Sequence, residues 1–206
     1  MKFVFATILI TFIIISYYCF YTEINTFTVD NLENHLPVMD VGCGNCCLSH
    51  RLNWTSESVV PVDVRDLGVC RRPQLYDPSI DDGLADLIRT SGVRSVLLKF
   101  VLHHVDDHNR LIRQLKGVQR VVVIEDTPVD RWDLFMNRAH LNVTGFLYGG
   151  STDDSTKNHF LTKPQWVGVF LAHGFSLTTV TSIPRIISPV WYPVSRTMFV
   201  FDRQGR

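Results

Sequence analysis

Short apolar runs alternate with segments of helical spacing along residues 36–126. The runs PVMDVG, VVPVDV, RSVLLKFV and VQRVVVIED are almost continuously apolar, and PQLYD is a weaker strand candidate. Between them, CCLSHRLN, SIDDGLADLIRTSG and DDHNRLIRQLKG have the apolar spacing of helices. Apolar strands separated by helices are typical of a parallel sheet that is covered on both faces. The pattern therefore predicts a doubly wound α/β fold, in which Gly92 ends one helix and Asp106 or Asp107 begins the next, with Gly117 at its end.

The last third of the chain has a different pattern. VDRWDLFMNRAHL and KPQWVGVFLAHG have helical spacing, the second with Pro164 in its first turn, and NVTGFLYGGSTDDSTKN between them is rich in turn residues. FSLTTVTSI and RTMFVFDR are predicted strands, and the Pro-rich stretch between them leaves no room for a crossover helix. We therefore expect these two strands to form an antiparallel pair at the edge of the sheet.

From Phe3 to Tyr21 the N-terminal segment contains only apolar, aromatic and small hydroxyl residues and no charge, and it is long enough to cross a bilayer as a helix. A cleaved signal peptide with Lys2 as its basic region is the alternative, but the bulky YYCFY at the end of the run offers no small-residue cleavage site. We expect residues 1–22 to be a single-pass membrane anchor, 23–35 a short linker and 36–206 one globular domain.

Charges give a weaker indication of topology. Lys2 precedes the apolar run and Glu23 follows it, so the positive-inside rule would place the domain outside the cytosol. Two glycosylation sequons, at Asn53 and Asn142, would then be accessible. The side of the membrane on which the domain lies stays open, as does the oligomeric state. The formal net charge of zero gives no indication of nucleic-acid binding.

Three acidic residues end the first three predicted strands, namely Asp40, Asp63 and Asp77. In a doubly wound sheet, ligands bind at the carboxyl ends of the strands. Gly42 and Gly44 allow a tight turn at which the backbone closely approaches a ligand. Asp63 lies about 20 residues beyond these glycines, where an acid binds ribose hydroxyls in nucleotide sites. The pattern indicates a nucleotide cofactor.

The glycine loop resembles the first motif of class I S-adenosylmethionine-dependent methyltransferases. It has Asp40 before Gly42 and Gly44 but lacks the third glycine of a dinucleotide loop, and the methyltransferase loop is typically spelled D-x-G-x-G-x-G. SVLLKFVLHHVDDHNRLIRQL, RVVVIEDTP and KPQWVGVFLAHGFSL follow in the order found in the type 11 group of these enzymes. The resemblance covers about residues 36–202. It implies a Rossmann-like methyltransferase that uses S-adenosylmethionine and transfers a methyl group to a small-molecule or lipid-like acceptor near the membrane.

The resemblance also implies roles for individual residues around the cofactor. Asp40 would hold the loop, and the loop would pass beneath the methionine part of the cofactor. Asp63 would bind the ribose hydroxyls, Asp77 would lie near the adenine amine, and Phe100 would close the pocket beside the sulfonium. The residues assigned to the loop itself are Gly42, Cys43 and Gly44.

Three departures from the family pattern support a second hypothesis. Cys46 stands in place of the third glycine, and Arg94 stands where relatives commonly have an acid. Only about 15 residues separate the apolar run from the first strand, where relatives usually have one or two helices that cover the cofactor. A degenerate methyltransferase fold that serves as a membrane-tethered binding or scaffold module would show such changes. A dehydrogenase is a weaker alternative, because the loop lacks the dinucleotide spelling.

The candidate catalytic residues follow the fourth and fifth strands. His103 or His104 could act as a general base on the acceptor, or could simply cap the next helix. Asp126, with Glu125 beside it, could orient the acceptor or cap a helix. Since methyl transfer draws much of its rate from proximity and orientation, a dedicated base is optional.

The cysteines Cys43, Cys46 and Cys47 allow three interpretations. In the first interpretation they are incidental residues of the cofactor loop. In the second they form a redox pair or a disulfide with Cys70, and in the third they belong to a metal site. A zinc site needs a further ligand cluster to complete it, and the sequence has no second C-x-x-C to supply one. We favour the cofactor loop and expect no metal.

Overall fold

The computed structural model describes residues 22–44, 58–66, 73–78, 80, 82–147, 159–183 and 194–205. The predicted membrane span, the CCLSHRLN helix, the Asn53 sequon and the three cysteines at 46, 47 and 70 lie outside these residues. Among the described residues, no helix combines the length and apolar character needed to span a membrane. The anchor at residues 1–22 stays a prediction.

A seven-stranded sheet with the order β3-β2-β1-β4-β5-β7-β6 forms the centre of the described structure. Strands β1 to β5 are parallel, and β7 pairs antiparallel with both β5 and β6. The doubly wound sheet and the antiparallel pair at its edge are both confirmed. The strands are β1 Val38–Val41, β2 Val59–Asp63, β3 Gln74–Leu75, β4 Ser95–Lys99, β5 Arg120–Asp126, β6 Phe175–Ile183 and β7 Arg196–Arg203.

The described helices begin and end largely at the residues that favour capping. Gly92, in the left-handed conformation with φ 67°, ends α2, and the Asp107 side chain accepts a hydrogen bond from the Arg110 N–H at the start of α3. Thr162 and Gln165 form a capping box at the start of α5. The helices are α1 at 22–32, α2 Gly83–Ser91, α3 His108–Gln114, α4 Arg131–Leu147 and α5 Lys163–Ala172, with 3₁₀ turns at Glu33–His35 and Leu102–His104.

Two helix boundaries differ from the sequence prediction. Helix α3 ends at Gln114, before Gly117, because the chain turns at Leu115 to enter β5. Helix α4 continues to Leu147 and includes the first six residues of the predicted loop NVTGFLYGGSTDDSTKN. Asn and Gly in that segment favour turns only weakly against the propagation of a helix that has already formed.

Residues 23–35, predicted as a linker, form α1 and a 3₁₀ turn that pack against the sheet. Ile24 and Leu32 are fully buried and Phe27 is nearly so, in a cluster with residues of β1, β4, β5 and β7. These three positions follow the helical period, but the polar residues between them obscure the pattern in the sequence. The segment between the predicted span and β1 is therefore part of the domain's core.

The alternation of side chains along the strands assigns each one to a face of the sheet. Met39, Leu98 and Val123 point to the face that packs against α2, α3 and α5. Val38 and Leu97 point to the face covered by α1. By the same alternation, Glu125 lies on the α2–α3–α5 face, whereas Asp40, Lys99 and Asp126 lie on the α1 face.

Candidate functional site

The turn that follows β1 requires glycine at its first position. Gly42 has φ 72°, and its N–H donates to the Val62 carbonyl at 2.8 Å. A Cβ atom at this position would lie 2.4 Å from Cγ2 of Val101, well inside van der Waals contact. Gly42 therefore fixes the loop tightly against the segment that follows β4, and brings the carboxyl ends of β1, β2 and β4 together.

Gly44 differs from Gly42 because its Cβ position faces open space. It has φ 55°, and no described atom lies within 4 Å of a Cβ built there. Its N–H donates to Oδ2 of Asp63 at 2.7 Å, while Oδ1 of Asp63 accepts from the N–H groups of Val64 at 2.7 Å and Arg65 at 3.3 Å. A ligand can therefore approach the backbone at Gly44 closely, next to an acidic side chain whose orientation is fixed by three hydrogen bonds.

Asp40 lies behind the loop and is buried, with 4% of its surface exposed. Burial raises its pKa to about 6, with a further increase from the charge of Asp63 and an opposing effect from Lys99. Among the described residues none hydrogen-bonds to its carboxylate, whereas Asp63 accepts a hydrogen bond from the Gly44 N–H of the loop. The role in the loop that the resemblance implies for Asp40 stays a prediction.

Cys43 lies in the loop with a partly buried side chain. Burial raises its pKa to about 12, and the nearby charges of Asp40 and Asp63 add to the increase. A thiol with such a pKa supplies little thiolate at neutral pH, which weighs against a redox role for Cys43. The described residues contain no metal-binding group of three or more His, Cys, Asp or Glu side chains.

Phe100 follows β4 in the left-handed conformation, with φ 54°, which is costly for a residue with a side chain. Its N–H donates to the Ile124 carbonyl at 2.8 Å, and its ring packs against the α1 cluster. The Arg196 guanidinium carbon lies 5.3 Å from the ring centroid and Lys99 Nζ lies 5.9 Å from it. Two cations thus lie near this ring, and the Arg196 contact could not be predicted from the sequence because Arg196 belongs to the distant strand β7.

Asp77 is exposed two residues beyond β3, beside the end of β2. Its carbonyl accepts a hydrogen bond from the Ile80 N–H at 3.1 Å, and the neighbouring Tyr76 N–H donates to the Asp63 carbonyl at 3.1 Å. The structure therefore places Asp77 at the same edge of the sheet as Asp63, as the sequence predicted.

His103 is 3% exposed and lies in the 3₁₀ turn after β4, where its Nδ1 is 2.8 Å from Oε2 of Glu125. The other Glu125 oxygen, Oε1, accepts from the Leu102 N–H at 2.6 Å. Burial alone would lower the pKa of His103, but the charge of Glu125 and its hydrogen bond outweigh burial and raise it. Glu125 therefore neither caps a helix nor points to solvent, because both of its oxygens hold the turn that carries His103.

His104 and Asp126, the other candidate catalytic residues, have different surroundings. His104 is exposed, and its ring centroid lies 4.1 Å from that of His103. Asp126 is 1% exposed and pairs through Oδ1 with Arg196 Nε at 2.7 Å. Because Asp126 lies on the opposite face of the sheet from Glu125, the structure separates it from His103.

The segment at 159–160 covers the histidine turn. The His159 N–H donates to the His103 carbonyl at 2.9 Å, and the Phe160 ring stacks on the His103 ring at 5.1 Å. His108 Nε2 lies 2.9 Å from the Leu102 carbonyl, and the His108 ring packs edge-on against Trp166. No sequence pattern indicates these contacts, because they join segments that are distant in the chain.

Comparisons with solved structures identify the fold. Magnesium protoporphyrin IX methyltransferase from Synechocystis, solved with S-adenosylhomocysteine, is 18% identical, with a TM-score of 0.57 over 94% of this chain and 86% of its own. The 1,6-didemethyltoxoflavin N1-methyltransferase from Burkholderia thailandensis, also with S-adenosylhomocysteine, is 12% identical, with a TM-score of 0.54 over 88% and 76%. The cyclase SpnF is 11% identical, with a TM-score of 0.55 over 89% and 82%. No model of a protein family matches this sequence, and no curated protein is similar to it.

The domain therefore has the Rossmann-like fold of class I S-adenosylmethionine-dependent methyltransferases, with the mostly parallel sheet and antiparallel strand pair seen in those enzymes. The similarity establishes the fold, and the narrower type 11 assignment stays a prediction.

Proposed function

We propose that this protein is an S-adenosylmethionine-dependent methyltransferase that acts on a small-molecule or lipid-like acceptor near a membrane. The observation that carries the proposal is the loop at Gly42–Gly44, where one glycine packs against the protein and the other leaves its Cβ position empty. A fixed acidic side chain, Asp63, adjoins the empty position. Two solved proteins of the same fold hold S-adenosylhomocysteine, the product that this cofactor leaves after methyl transfer.

The residues present fit the cofactor. The backbone at Cys43 and Gly44 would hold its methionine part, Asp63 its ribose hydroxyls, Asp77 its adenine, and Phe100 would border the pocket near the reacting methyl group. When bound, the cofactor supplies an electrophilic methyl group. The protein's own contribution is to bind and orient the two reactants in line, which provides much of the rate of such a displacement.

Calorimetric titration of S-adenosylmethionine into the full-length chain tests the proposal. Gly44→Ala places a methyl group in the space required by the ligand, so we expect it to weaken cofactor binding at least tenfold. Gly92→Ala is the matched control, because Gly92 also has a positive φ and open space around it but lies at the end of α2, before β4. Equal affinities in the two variants, or no binding by folded wild-type protein, would contradict the proposal.

The membrane part of the proposal rests first on the apolar run at Phe3–Tyr21. Helix α1 follows it directly, and near the end of this helix the Asn31 carbonyl accepts from Arg120 Nη1 at 3.2 Å, where β5 begins. The start of α1 therefore points toward the carboxyl edge of the sheet, where the cofactor would bind. A span that precedes α1 would hold that edge toward the bilayer.

Exposed apolar residues after β5 support the same orientation. Val129, Trp132 and Phe135 are 70%, 58% and 59% exposed, and the two rings lie 5.6 Å apart. Aromatic side chains of this kind favour the membrane interface. We expect full-length protein to float with lipid vesicles and the amides of residues 129–135 to exchange more slowly there than in detergent. Flotation without such protection would contradict this orientation, and absence of flotation would contradict the anchor.

A scaffold module without catalytic activity is the second candidate. The cyclase SpnF shares the fold, so the fold alone does not define the chemistry. Arg94, one of the three departures from the family pattern, gives little support to this candidate. It is exposed before β4, at the edge of the sheet opposite the glycine loop. Cys46 lies outside the described residues. Cofactor binding without methyl transfer to any acceptor in a broad panel of lipids and small molecules would favour the scaffold.

A further inference from the structure

The turn that carries His103 adjoins the glycine loop. Val101 is the residue that a Cβ on Gly42 would strike, and His103 follows it by two positions. Strands β1, β4 and β5 are neighbours in the sheet, so the loop, the turn and Glu125 lie in that order along its carboxyl edge. His103 is therefore placed beside the site proposed for the cofactor, on the side of β5.

The hydrogen bonds determine which ring nitrogen of His103 is available. Glu125 accepts the Leu102 N–H through one oxygen and faces Nδ1 of His103 with the other. A carboxylate only accepts hydrogen bonds, so Nδ1 carries the proton and Nε2 of the neutral ring keeps a lone pair. No described residue hydrogen-bonds to Nε2. Phe160 stacks on the face of the ring and limits its rotation.

The charges around His103 favour uptake of a proton at Nε2. Glu125 contacts it directly and Asp126 acts from the next position of β5, and together they raise the pKa of the imidazole against the effect of burial. His104 adjoins it, and His108 on α3 is directed to the Leu102 carbonyl. In the segment at 159–160, His159 Nε2 lies 3.5 Å from Asp106 Oδ1, so the His159 imidazole pairs with Asp106 and not with the ring nitrogens of His103.

Building on the proposed function, we infer that His103 Nε2 accepts a proton from the acceptor, and that Glu125 is the positioning residue that orients His103 for this step. The acceptor atom bonds to the methyl carbon as the carbon–sulfur bond breaks. The electron pair of the carbon–sulfur bond passes to sulfur, which becomes a neutral thioether, while the proton of the acceptor passes to Nε2. The acceptor class that follows is one whose methylated atom carries a proton, a hydroxyl or an amine, and not a thioether.

Matched probes separate this inference from the function on which it rests. Full-length wild type, His103→Gln and Glu125→Gln are assayed for transfer of labelled methyl groups to 4-decylphenol, which must lose a proton, and to decyl methyl sulfide, which has none to lose. His173→Gln is the control, because His173 hydrogen-bonds a backbone carbonyl at the end of α5. We expect kcat on the phenol to fall about 100-fold or more in His103→Gln and about tenfold or more in Glu125→Gln, with cofactor Kd unchanged within about twofold.

Nitrogen-15 NMR of histidine-labelled protein gives a readout that needs no acceptor. We expect the neutral His103 ring to carry its proton on Nδ1, and Glu125→Gln to lower its pKa and to shift the acidic limb of the kcat–pH profile with it. A proton on Nε2 of the neutral ring, or equal losses of transfer to the phenol and the sulfide, would overturn the inference while leaving the proposed function intact. Failure of wild type to bind the cofactor would remove both.

Discussion

The ion pair between Asp126 and Arg196 gives the most direct test of the structural reasoning. The two side chains are 0% and 5% exposed, and the contact of 2.7 Å joins paired residues of β5 and β7. Replacing Arg196 with Met keeps an unbranched side chain about as long as the aliphatic part of arginine but removes the guanidinium that the buried Asp126 carboxylate contacts. Asp126, a candidate catalytic residue on sequence grounds, would then keep its charge in the core without the Arg196 guanidinium.

The magnitude follows from this burial. Removing one partner of a buried ion pair costs about 3–5 kcal/mol, a large share of the 5–15 kcal/mol by which a typical domain is stable. For a domain of this size the change corresponds to a fall in Tm of about 6–20 °C. Differential scanning calorimetry and urea unfolding of full-length protein would measure it.

Arg89→Met is the matched control, because Arg89 pairs with Asp86 at 3.0 Å with both side chains largely exposed, at 75% and 67%. An exposed pair contributes about 0.5 kcal/mol or less. The double variant Asp126→Leu with Arg196→Met removes both charges and should recover most of the loss of the single variant. Similar small losses of stability for Arg196→Met and Arg89→Met would contradict the expected cost of burial, since the two pairs differ chiefly in burial.

Three further predictions concern the glycine loop. Gly42→Ala should lower the unfolding free energy by about 2–3 kcal/mol more than Gly44→Ala, as measured by urea unfolding, because only the first meets Val101. Burial raises the pKa of Asp40 to about 6 from its ordinary 3.8, so the native state favours the protonated form. The unfolding free energy of wild type should therefore fall relative to that of Asp40→Asn as pH rises from about 4 through about 6. A difference in unfolding free energy that does not change with pH would contradict this prediction. With a pKa of about 12, Cys43 should resist iodoacetamide at pH 8 in the native protein, and rapid alkylation detected by mass spectrometry would count against the loop geometry.

The doubly wound sheet can be predicted from the amino-acid sequence alone, because buried parallel strands must be apolar along their length and the helices between them must have one apolar face. The antiparallel pair can be predicted as well, since the segment between β6 and β7 cannot form a crossover. Gly42, Gly44 and Asp63 could be recognised for a local reason. Each ends a strand or lies within three residues of its end, and the fold brings the carboxyl ends of parallel strands to one edge.

The partners of the polar residues at that edge depend on how the whole domain folds. His103 and Glu125 come from neighbouring strands and Asp126 and Arg196 from an antiparallel pair, so no sequence spacing announces either contact. Adjacent residues of β5 point to opposite faces of the sheet, which separates Glu125 and Asp126 although they follow each other in the chain. Likewise, α1 became part of the core only because the sheet offers an apolar face for Ile24 and Leu32 to cover. The local pattern of apolar and polar residues determines which helices and strands form. Which charged side chains pair depends on burial against segments distant in the chain, and therefore on the complete fold.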